Sequence, residues 1–487
     1  MLILGTVAGC TVGPDYRGAP DVAPHASHAP QFERATIAAA PASTPAARWW
    51  DGLGDAELSH LIDLALANSP TLAVAQARIL QARATLAEQD AGLYPSVSAT
   101  AAAARARLPT GDLANAASAA GLSPSTTAEI PRHVTASYYQ AGFDAMWELD
   151  LFGGQRRAIE GARASTEAAV AMYQDAQVQL AAEVGQAYVS LRQAQVRGVL
   201  AEQSRATAAR MLALTQDQRN VGTADDVALQ KAQAQLKQAD AALLPLQAQA
   251  EQMRDQLALL AGREPGALDG ELTAPGAVPL PPAVVAVGDP AAMLRRRPDI
   301  RAAERQLAAS NAAVGQAVAG LFPTVSLLGT IGLGSSKPGE LFHSNNLSKL
   351  GAPVLRWNVF DFGKARAQVR EQQAGSDASL AQYRSTVLSA LNDAETSLSR
   401  YGRQRAYVQQ LDDAQAAQNR VTELTMVRYR GGTASYLQAL DAESQRLQSE
   451  QTLVQARAEL STDYVSLQKS LGLGWSAPPV ADPVATR

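Results

Sequence analysis

Hydrophobic residues along this chain follow two different spacings, and the change from one to the other marks the predicted elements. The first apolar stretch recurs every three to four residues, which is the period of a helix face. It predicts a helix from Asp55 to Gly92, which Pro95 ends because proline cannot continue the hydrogen-bonded pattern. The buried face of this helix is formed by Leu58, Leu61, Ile62, Ala65 and Leu66.

A looser, period-two pattern follows, with aromatic residues among the apolar positions, and it predicts strands. The predicted strands are Pro95–Ala104, Thr135–Trp147, Thr324–Leu333 and Ala352–Phe360. Stretches rich in glycine, proline and serine, Arg105–His133 and Gly334–Gly351, separate them as loops. Each strand has about ten residues, the length that crosses the apolar core of a bilayer.

Two proline-free stretches of 68 residues, Gly153–Asn220 and Gly363–Arg430, are far longer than a globular domain needs. At about 1.5 Å per residue, each predicts a helix of roughly 100 Å. A glycine-containing turn follows each stretch. A shorter helix is then predicted over Asp225–Ala261 and over Ser435–Leu471. The two shorter helices of each half together match the long helix in length.

The same order of elements occurs twice in the chain. Leu93-Tyr94-Pro95 recurs 228 residues later as Leu321-Phe322-Pro323, and Trp147 recurs 210 residues later as Trp357. The two offsets differ by 18 residues, and the difference falls within the first predicted loop. The predicted segments are a remnant signal at 1–10, a tether at 11–54, a first repeat at 55–261, a proline-rich equatorial linker at 262–288, a second repeat at 289–472 and a tail at 473–487.

Four strands cannot close a sheet, and open sheet edges are excluded from lipid. Three copies of the chain supply twelve strands, enough for a barrel that encloses water. The helices continue the same tube with four rods per chain. The sequence therefore predicts a mainly α protein with a β-barrel portion: a trimer whose twelve-stranded β-barrel continues into a long α-helical barrel.

Composition adds exclusions and one candidate anchor. The 487 residues have a net charge of −4, so the chain lacks the basic balance typical of a nucleic-acid-binding protein. The sequence has no run of 18 consecutive apolar residues, so no transmembrane helix is predicted. The single cysteine, Cys10, follows small and apolar residues that resemble the lipobox of bacterial lipoproteins. We expect Cys10 to be acylated, although the leader is short and has no basic start; a stray cysteine in a leader is the alternative.

Residue groups typical of catalysis or of metal binding are not found in the sequence. The histidines are scattered without the spacing of metal ligands: His25, His28, His60, His133 and His343. Gly332-Leu333-Gly334 lies between a strand and a loop and is typical of a hairpin rather than of a nucleotide site. We expect no enzyme, no metal site and no cofactor other than the lipid on Cys10.

Several motifs together resemble the outer-membrane factor family, which includes TolC and OprM, and in particular its lipoprotein branch of the NodT type. They are Cys10–Tyr16, Trp49-Trp50, Arg296–Glu304, Phe322–Ser326, Asp361–Gly363 and Arg428–Gly432. The resemblance covers Cys10 to about Trp475. It implies a homotrimeric efflux duct in the outer membrane of a Gram-negative bacterium. Such ducts export drugs or other small molecules with a periplasmic membrane-fusion adaptor and an inner-membrane pump, here expected to be of the RND type.

The resemblance also assigns a role to the two turns between helices, which in the family form the periplasmic tip and contact the adaptor. The candidate tip residues are Gly222, Thr223, Asp225, Asp226, Tyr429, Gly432 and Thr433. The glycines supply the left-handed residue that ends a helix, and we expect the threonines to cap the next helix. A TolC-type latch would use Tyr429, but Ala434 and Ala228 replace its arginine and its acid.

A periplasmic aperture is implied on the helix after the second turn. In OprM-like members the aperture is formed by a leucine, an aspartate and an arginine. The corresponding residues here are Leu437, Asp441 and Ser444, so the arginine is missing. The alternative for Asp441 is an ordinary solvated helix charge paired with Lys231, its equivalent in the first repeat.

Trp147 and Trp357 occupy equivalent places just before the long helices. Tryptophan favours the membrane–water boundary, so both are predicted at the periplasmic rim of the barrel. A second interpretation of the whole chain remains open: a lipid-anchored periplasmic coiled-coil scaffold or adaptor. Such proteins also have paired helices, but they lack two copies of a strand–loop–strand unit.

Overall fold

The structure is a computed structural model that describes residues 11–35, 39–40, 46–109 and 133–477. The helices in this part are α1 (Pro24–Ser27), α2 (Ala56–Asn68), α3 (Pro70–Ala91), α4 (Gly154–Asn220), α5 (Asp226–Leu260), α6 (Asp269–Leu272), α7 (Pro290–Arg296), α8 (Pro298–Ala319), α9 (Lys364–Arg430) and α10 (Tyr436–Ser470). The strands are β1 (Ala39–Ala40), β2 (Ser96–Pro109), β3 (His133–Leu149), β4 (Val285–Ala286), β5 (Thr324–Ser335) and β6 (Leu347–Arg356). Short 3-10 helices lie at Trp49–Leu53, Pro338–Glu340 and Ser344–Asn346.

The helix predicted over Asp55–Gly92 is wrong as a single element, because α2 and α3 are separated at Ser69. Ser69 has an extended backbone with ψ 126°, and Pro70 begins α3. Proline disfavours a helical conformation in the residue before it, so the break follows from the sequence. Arg297, with ψ 123°, separates α7 from α8 before Pro298 in the same way.

The long helices are confirmed to within one residue. α4 and α9 each have 67 residues and end at the predicted positions. The helices predicted over Asp225–Ala261 and Ser435–Leu471 are each one residue shorter at both ends. Asp225 and Ser435 lie outside them because they are the residues whose side chains cap the first turn.

Strands β2, β3, β5 and β6 form one antiparallel sheet in that order, so β2 and β6 are its edges. The strands are displaced from their predicted bounds. β2 extends to Pro109 rather than Ala104, and β6 covers Leu347–Arg356, which excludes Phe360. The two ends of the predicted loop Gly334–Gly351, residues 334–335 and 347–351, are therefore strand, whereas most of Arg105–His133 lies outside the described residues.

The chain divides into two compact units. One consists of residues 1–17, 83–164 and 308–378 and contains the four-stranded sheet. The other consists of residues 18–82, 165–307 and 379–487 and contains the main hydrophobic core, where both repeats, the tether and the linker meet. Buried members of that core include Phe32, Trp49, Trp50, Tyr188, Leu272 and Tyr464. None of the described helices is both long enough and apolar enough to cross a membrane.

Candidate functional site

The turn between α4 and α5 ends one helix and begins the next with different residues. Gly222 has a left-handed φ of 77°, and the N–H groups of Gly222 and Thr223 donate to carbonyls of the last turn of α4 at 2.9 and 2.8 Å. This is the Schellman arrangement. The Thr223 hydroxyl donates to the Gln218 carbonyl at 2.9 Å, so the prediction that Thr223 caps α5 is wrong. Asp225 does so, because its carboxylate accepts the N–H of Ala228 at 2.8 Å.

The turn between α9 and α10 repeats this geometry. Gly432 has a φ of 73°, and both the N–H and the hydroxyl of Thr433 donate to the Arg428 carbonyl, at 2.9 and 3.2 Å. Thr433 therefore closes α9 instead of capping α10. The cap is a capping box in which Gln438 N–H donates to the Ser435 hydroxyl and Ser435 N–H donates to the Gln438 side chain. The Ser-x-x-Gln spacing signals this box in the sequence.

The remaining tip residues contact neighbours within their own turns. Asp226 forms an ion pair with Arg219 across the first turn at 2.6 Å. Both side chains are largely exposed, so solvent screens the pair and it contributes little to stability. The Tyr429 ring lies beside that of Tyr436, with centroids 5.0 Å apart and an interplanar angle of 36°. Tyr429 thus has an aromatic neighbour where the TolC-type latch would require an arginine and an acid.

Leu437 and Asp441 lie one helical turn apart on α10, and both side chains are exposed, Leu437 by 39%. They line a groove of about 510 Å³ formed by α4, α9 and α10. Asp441 accepts a hydrogen bond from the Gln445 amide at 3.0 Å. The ion pair with Lys231 is not formed among the described residues. The structure therefore places an apolar and an acidic side chain together in the same open groove.

Arg446 does not replace the arginine that is missing at Ser444. Its guanidinium binds Glu443 at 2.9 and 3.0 Å and Glu450 at 2.7 Å, all on α10. Hydrogen bonding from Arg446 lowers the pKa of the Glu443 carboxyl. The Arg446 guanidinium is thus bound to two glutamates of its own helix.

Trp147 and Trp357 occupy matching positions in the sheet. Trp147 lies in β3, and Trp357 follows β6 by one residue. Their indole N–H groups donate to the carbonyls of Leu93 and Leu321 at 2.9 and 3.2 Å. Each tryptophan therefore ties the end of its hairpin to the chain segment that enters it. Both rings are partly exposed, and a location at the membrane boundary remains a prediction.

Cys10 lies outside the described residues, but residues 12–15, which follow it closely, make hydrogen bonds and packing contacts with α4 and α8. The buried guanidinium of Arg157, at the start of α4, donates to the Val12 carbonyl at 3.2 Å and to the Asp15 carboxylate at 2.5 Å. Gly13 packs so closely on Gly315 of α8 that an added Cβ would lie 2.5 Å from its Cα. Sequence reasoning missed this contact, because Arg157 and Asp15 are 142 positions apart.

Arg297, part of one of the family-like motifs, has a clear structural role. Its guanidinium forms two hydrogen bonds with Asp299, at 3.0 and 2.6 Å, and a third with the Ser470 carbonyl at 2.7 Å. It therefore joins the start of α8 to the end of α10. Across the residues that the structure describes, no three His, Cys, Asp or Glu side chains are grouped to bind a metal ion.

The profile of the outer membrane efflux protein family matches residues 61–263 and 290–473, which are the two repeats without most of the linker. Outer membrane protein OprJ of Pseudomonas aeruginosa is 31% identical over 480 residues, covering 98% of this chain and 95% of OprJ. The toluene efflux pump outer membrane protein TtgI of Pseudomonas putida is 30% identical over 495 residues, covering 98% of each chain.

Solved channel structures have the same fold. The outer-membrane channel OprN superposes with a TM-score of 0.80 at 35% identity, covering 96% of this chain and 100% of that one. The CmeC outer membrane channel of Campylobacter jejuni superposes with a TM-score of 0.83 at 20% identity and supports the fold alone. The chain therefore belongs to the outer membrane efflux protein family, and it is an outer-membrane efflux channel with the TolC-like fold.

Proposed function

We propose that three copies of this chain form the outer-membrane duct of a tripartite efflux system, together with a periplasmic adaptor and an inner-membrane pump of the RND type. The observation that carries the proposal is the four-stranded sheet built from two equivalent hairpins, with β2 and β6 at its edges. Edge strands present unpaired backbone groups, which neighbouring copies would pair. Three copies would give a closed ring of twelve strands, and the membership of the chain in a channel family supports this assembly.

The aperture of the duct is proposed at Leu437 and Asp441. Their shared exposure in one groove supports this role, as does the contact of the Asp441 carboxylate, which accepts a hydrogen bond from Gln445. Three leucines related by threefold symmetry would form an apolar constriction that opposes wetting. Three carboxylates would attract cations, because like charges held close together are stabilised by counter-ions. The resting duct is therefore narrow and cation-selective.

The adaptor is proposed to contact the two helix turns, α4–α5 and α9–α10. Both turns are closed by the same backbone geometry, and both leave their first residues exposed. Two nearly equal turns per chain give six per trimer, so an adaptor could use one mode of contact at both. The exposed candidates are Gly222, Thr223, Asp225, Asp226, Tyr429, Gly432 and Thr433.

Acylation of Cys10 is proposed as a second membrane attachment. The segment 11–15 is held by Arg157 beside the start of α4, which limits how far the acyl chain could extend from the sheet-containing unit. The strands of the proposed barrel would insert in the membrane independently of the lipid. Loss of the lipid should weaken assembly without eliminating it.

The exported compounds are proposed to be small and largely apolar. TtgI and SrpC of Pseudomonas putida are named as toluene and solvent efflux proteins, and ArpC as an antibiotic efflux protein. The duct itself selects little in this proposal, because the pump chooses the substrate. Drugs and solvents that reach the pump would therefore share one exit.

The experiment removes the gene from the parent bacterium and measures the accumulation of a fluorescent pump substrate, with susceptibility to toluene and to antibiotics as a second measurement. We expect accumulation to rise and to return to the parental level with the wild-type gene. On an unheated denaturing gel the protein should migrate near 150 kDa, as three chains of 51.1 kDa. Normal efflux in the deletion strain, or a monomeric protein in outer-membrane extracts, would contradict the proposal.

A further inference from the structure

A groove of about 590 Å³ lies between α4, α5 and α10, within the unit that contains the main hydrophobic core. Its lining residues recur every three to four positions on each helix, so one face of each helix forms the wall. On α4 they run from Arg197 to Met211, which is roughly 20 Å of helix at about 1.5 Å per residue. This space, the Arg197 groove, is therefore elongated.

Small side chains keep the Arg197 groove open. Where α4 and α5 face it, several positions are alanine, and longer side chains would fill the space between the helices: Ala201, Ala208, Ala239 and Ala242. Much of the remaining wall consists of amide and hydroxyl side chains: Ser204, Gln235, Gln238, Gln249, Ser444, Gln448 and Gln451. The wall therefore combines apolar surface with groups that donate and accept hydrogen bonds.

Arg197 is the only basic residue among the described residues that line this groove. Its Nε atom is buried without a hydrogen-bond partner, and in the described part of the chain its guanidinium forms no ion pair. By contrast, Arg205 on the same helix binds both Glu202 and Asp240 at 2.8 Å. A buried donor without a partner is costly, so an acceptor that enters the groove would be bound favourably.

The one acidic residue that lines the groove lies at its opposite end. Side-chain hydrogen bonds show that α4 and α10 run antiparallel, with Gln451 opposite Ser204. Asp441 precedes Gln451 on α10, and Arg197 precedes Ser204 on α4, so the two charged residues diverge from this contact in opposite directions. Their Cα atoms are roughly 25 Å apart along the helices at about 1.5 Å per residue. Asp441 therefore does not neutralise Arg197.

We propose that the Arg197 groove is a binding site for small molecules that carry a carboxylate, with the carboxylate on Arg197 and the body of the molecule along the groove. A guanidinium forms two parallel hydrogen bonds with a carboxylate, which gives both affinity and orientation. Asp441 repels a carboxylate at the far end, so only one orientation is favoured. The groove lies within one chain, and the inference goes beyond the assembly of the duct.

The rest of the wall sets the kind of molecule that fits. Glutamine and serine side chains offer partners to hydroxyl or amide groups, and the alanines with Leu246 contact apolar parts. The preferred ligand is therefore a carboxylate whose body has both polar and apolar groups. An inorganic anion would reach Arg197 but would leave most of the groove empty.

Fluorescence titration with dansylglycine tests the need for a carboxylate. The full-length protein is reconstituted in lipid nanodiscs, and the signal of empty nanodiscs is subtracted. Dansylglycinamide, in which an amide replaces the carboxylate, is the matched probe. We expect dansylglycine to bind at least about tenfold more tightly, because hydrogen bonds to charged groups are the stronger ones. Equal binding of the two probes would overturn the proposal.

Two pairs of variants locate the site. Arg197→Gln should weaken dansylglycine at least about tenfold and leave dansylglycinamide unchanged. Arg403→Gln changes an exposed arginine of α9 outside the groove and should affect neither probe. Ala242→Leu should weaken both probes because leucine fills the space, whereas Ala241→Leu, at the exposed neighbour outside the groove, should not. Equal losses in a variant and its control would show that the probe binds elsewhere.

A purely structural role for Arg197 gives a different set of results. If Arg197 pairs with an acid of another subunit, Arg197→Gln lowers the fraction of trimer that survives denaturing detergent without heating, and the wild type does not distinguish the two probes. That outcome overturns the inference and leaves the proposed function in place. If Arg197 binds the carboxylate, Arg197→Lys should give an affinity between those of the wild type and Arg197→Gln, because lysine keeps the charge but not the paired donors.

Discussion

Gly432 offers a clean test of the geometry that ends the long helix α9. Its φ of 73° is left-handed, and a Cβ added there would meet no atom within 4 Å. The cost of Gly432→Ala is therefore conformational alone, about 1–2 kcal/mol for an L-residue in this region. That cost would raise the opening equilibrium of the turn by a factor of roughly 5–30, because 1.4 kcal/mol corresponds to about tenfold.

Hydrogen–deuterium exchange of the detergent-solubilised protein measures this opening directly. The Thr433 amide, bonded to the Arg428 carbonyl at 2.9 Å, should exchange faster by that factor in Gly432→Ala. Gly432→Asn should exchange close to the wild-type rate, because asparagine tolerates the left-handed region.

The neighbouring glycine provides the matched control. Gly431 has no left-handed φ, and a Cβ there would make only ordinary contact, 3.5 Å from the Val427 carbonyl oxygen. Gly431→Ala should therefore leave exchange unchanged or slow it slightly. If the alanine variants at 431 and 432 exchange alike, the turn is not held by the left-handed residue and the reasoning is refuted.

Three further predictions concern the aperture, the lipid and a buried acid. In planar bilayers, Asp441→Ala should weaken both the cation selectivity of the channel and its block by divalent ions. Leu437→Ala should raise the single-channel conductance. If Asp441→Ala leaves selectivity and divalent block unchanged, Asp441 is an ordinary solvated charge. Cys10→Ser should abolish labelling by radioactive palmitate, and labelling that persists would exclude acylation at this site. Burial raises the pKa of the Asp463 carboxyl to about 6, although Arg400 at 3.9 Å lowers it. The folded state therefore favours the protonated form, and the stability that this gives is lost as the pH rises from about 4 to about 6. Asp463→Asn should raise the unfolding temperature at pH 7.5 and have little effect near pH 4; equal shifts at both pH values would contradict this account.

The long helices could be predicted because their signals are local. Proline-free stretches with glycine at both ends predicted the first and last residues of α4 and α9 to within one residue. The break at Ser69 was also encoded locally, by the proline that follows it, but a continuous apolar face obscured it. The bounds of β6 could not be read from the sequence alone, because strand ends depend on which partner residues lie opposite.

The candidate site was predictable in position but less so in contacts. The glycines of both turns were found because a left-handed residue leaves few choices of side chain. The roles of Thr223 and Thr433 were misassigned, because a hydroxyl next to such a turn can reach back to the preceding helix as easily as forward. The hydrogen bonds from Arg157 to residues 12–15 depend on tertiary structure and leave no pattern in the sequence.

The two equivalent hairpins share one register, since adding 228 to residues of β2 and 210 to residues of β3 gives the residue pairs of β5 with β6. This shared register has a consequence for how the protein can change. The entire 18-residue length difference between the repeats lies between Pro109 and His133, beyond the last residue pair of the first hairpin. The number of residues between Pro109 and His133 can therefore change without changing which residues of β2 and β3 lie opposite each other. Epitopes or affinity tags inserted between these residues should leave the ladder intact. Natural selection has the same freedom, so the segment between these two residues can diversify in length while the paired strands on either side of it stay constant.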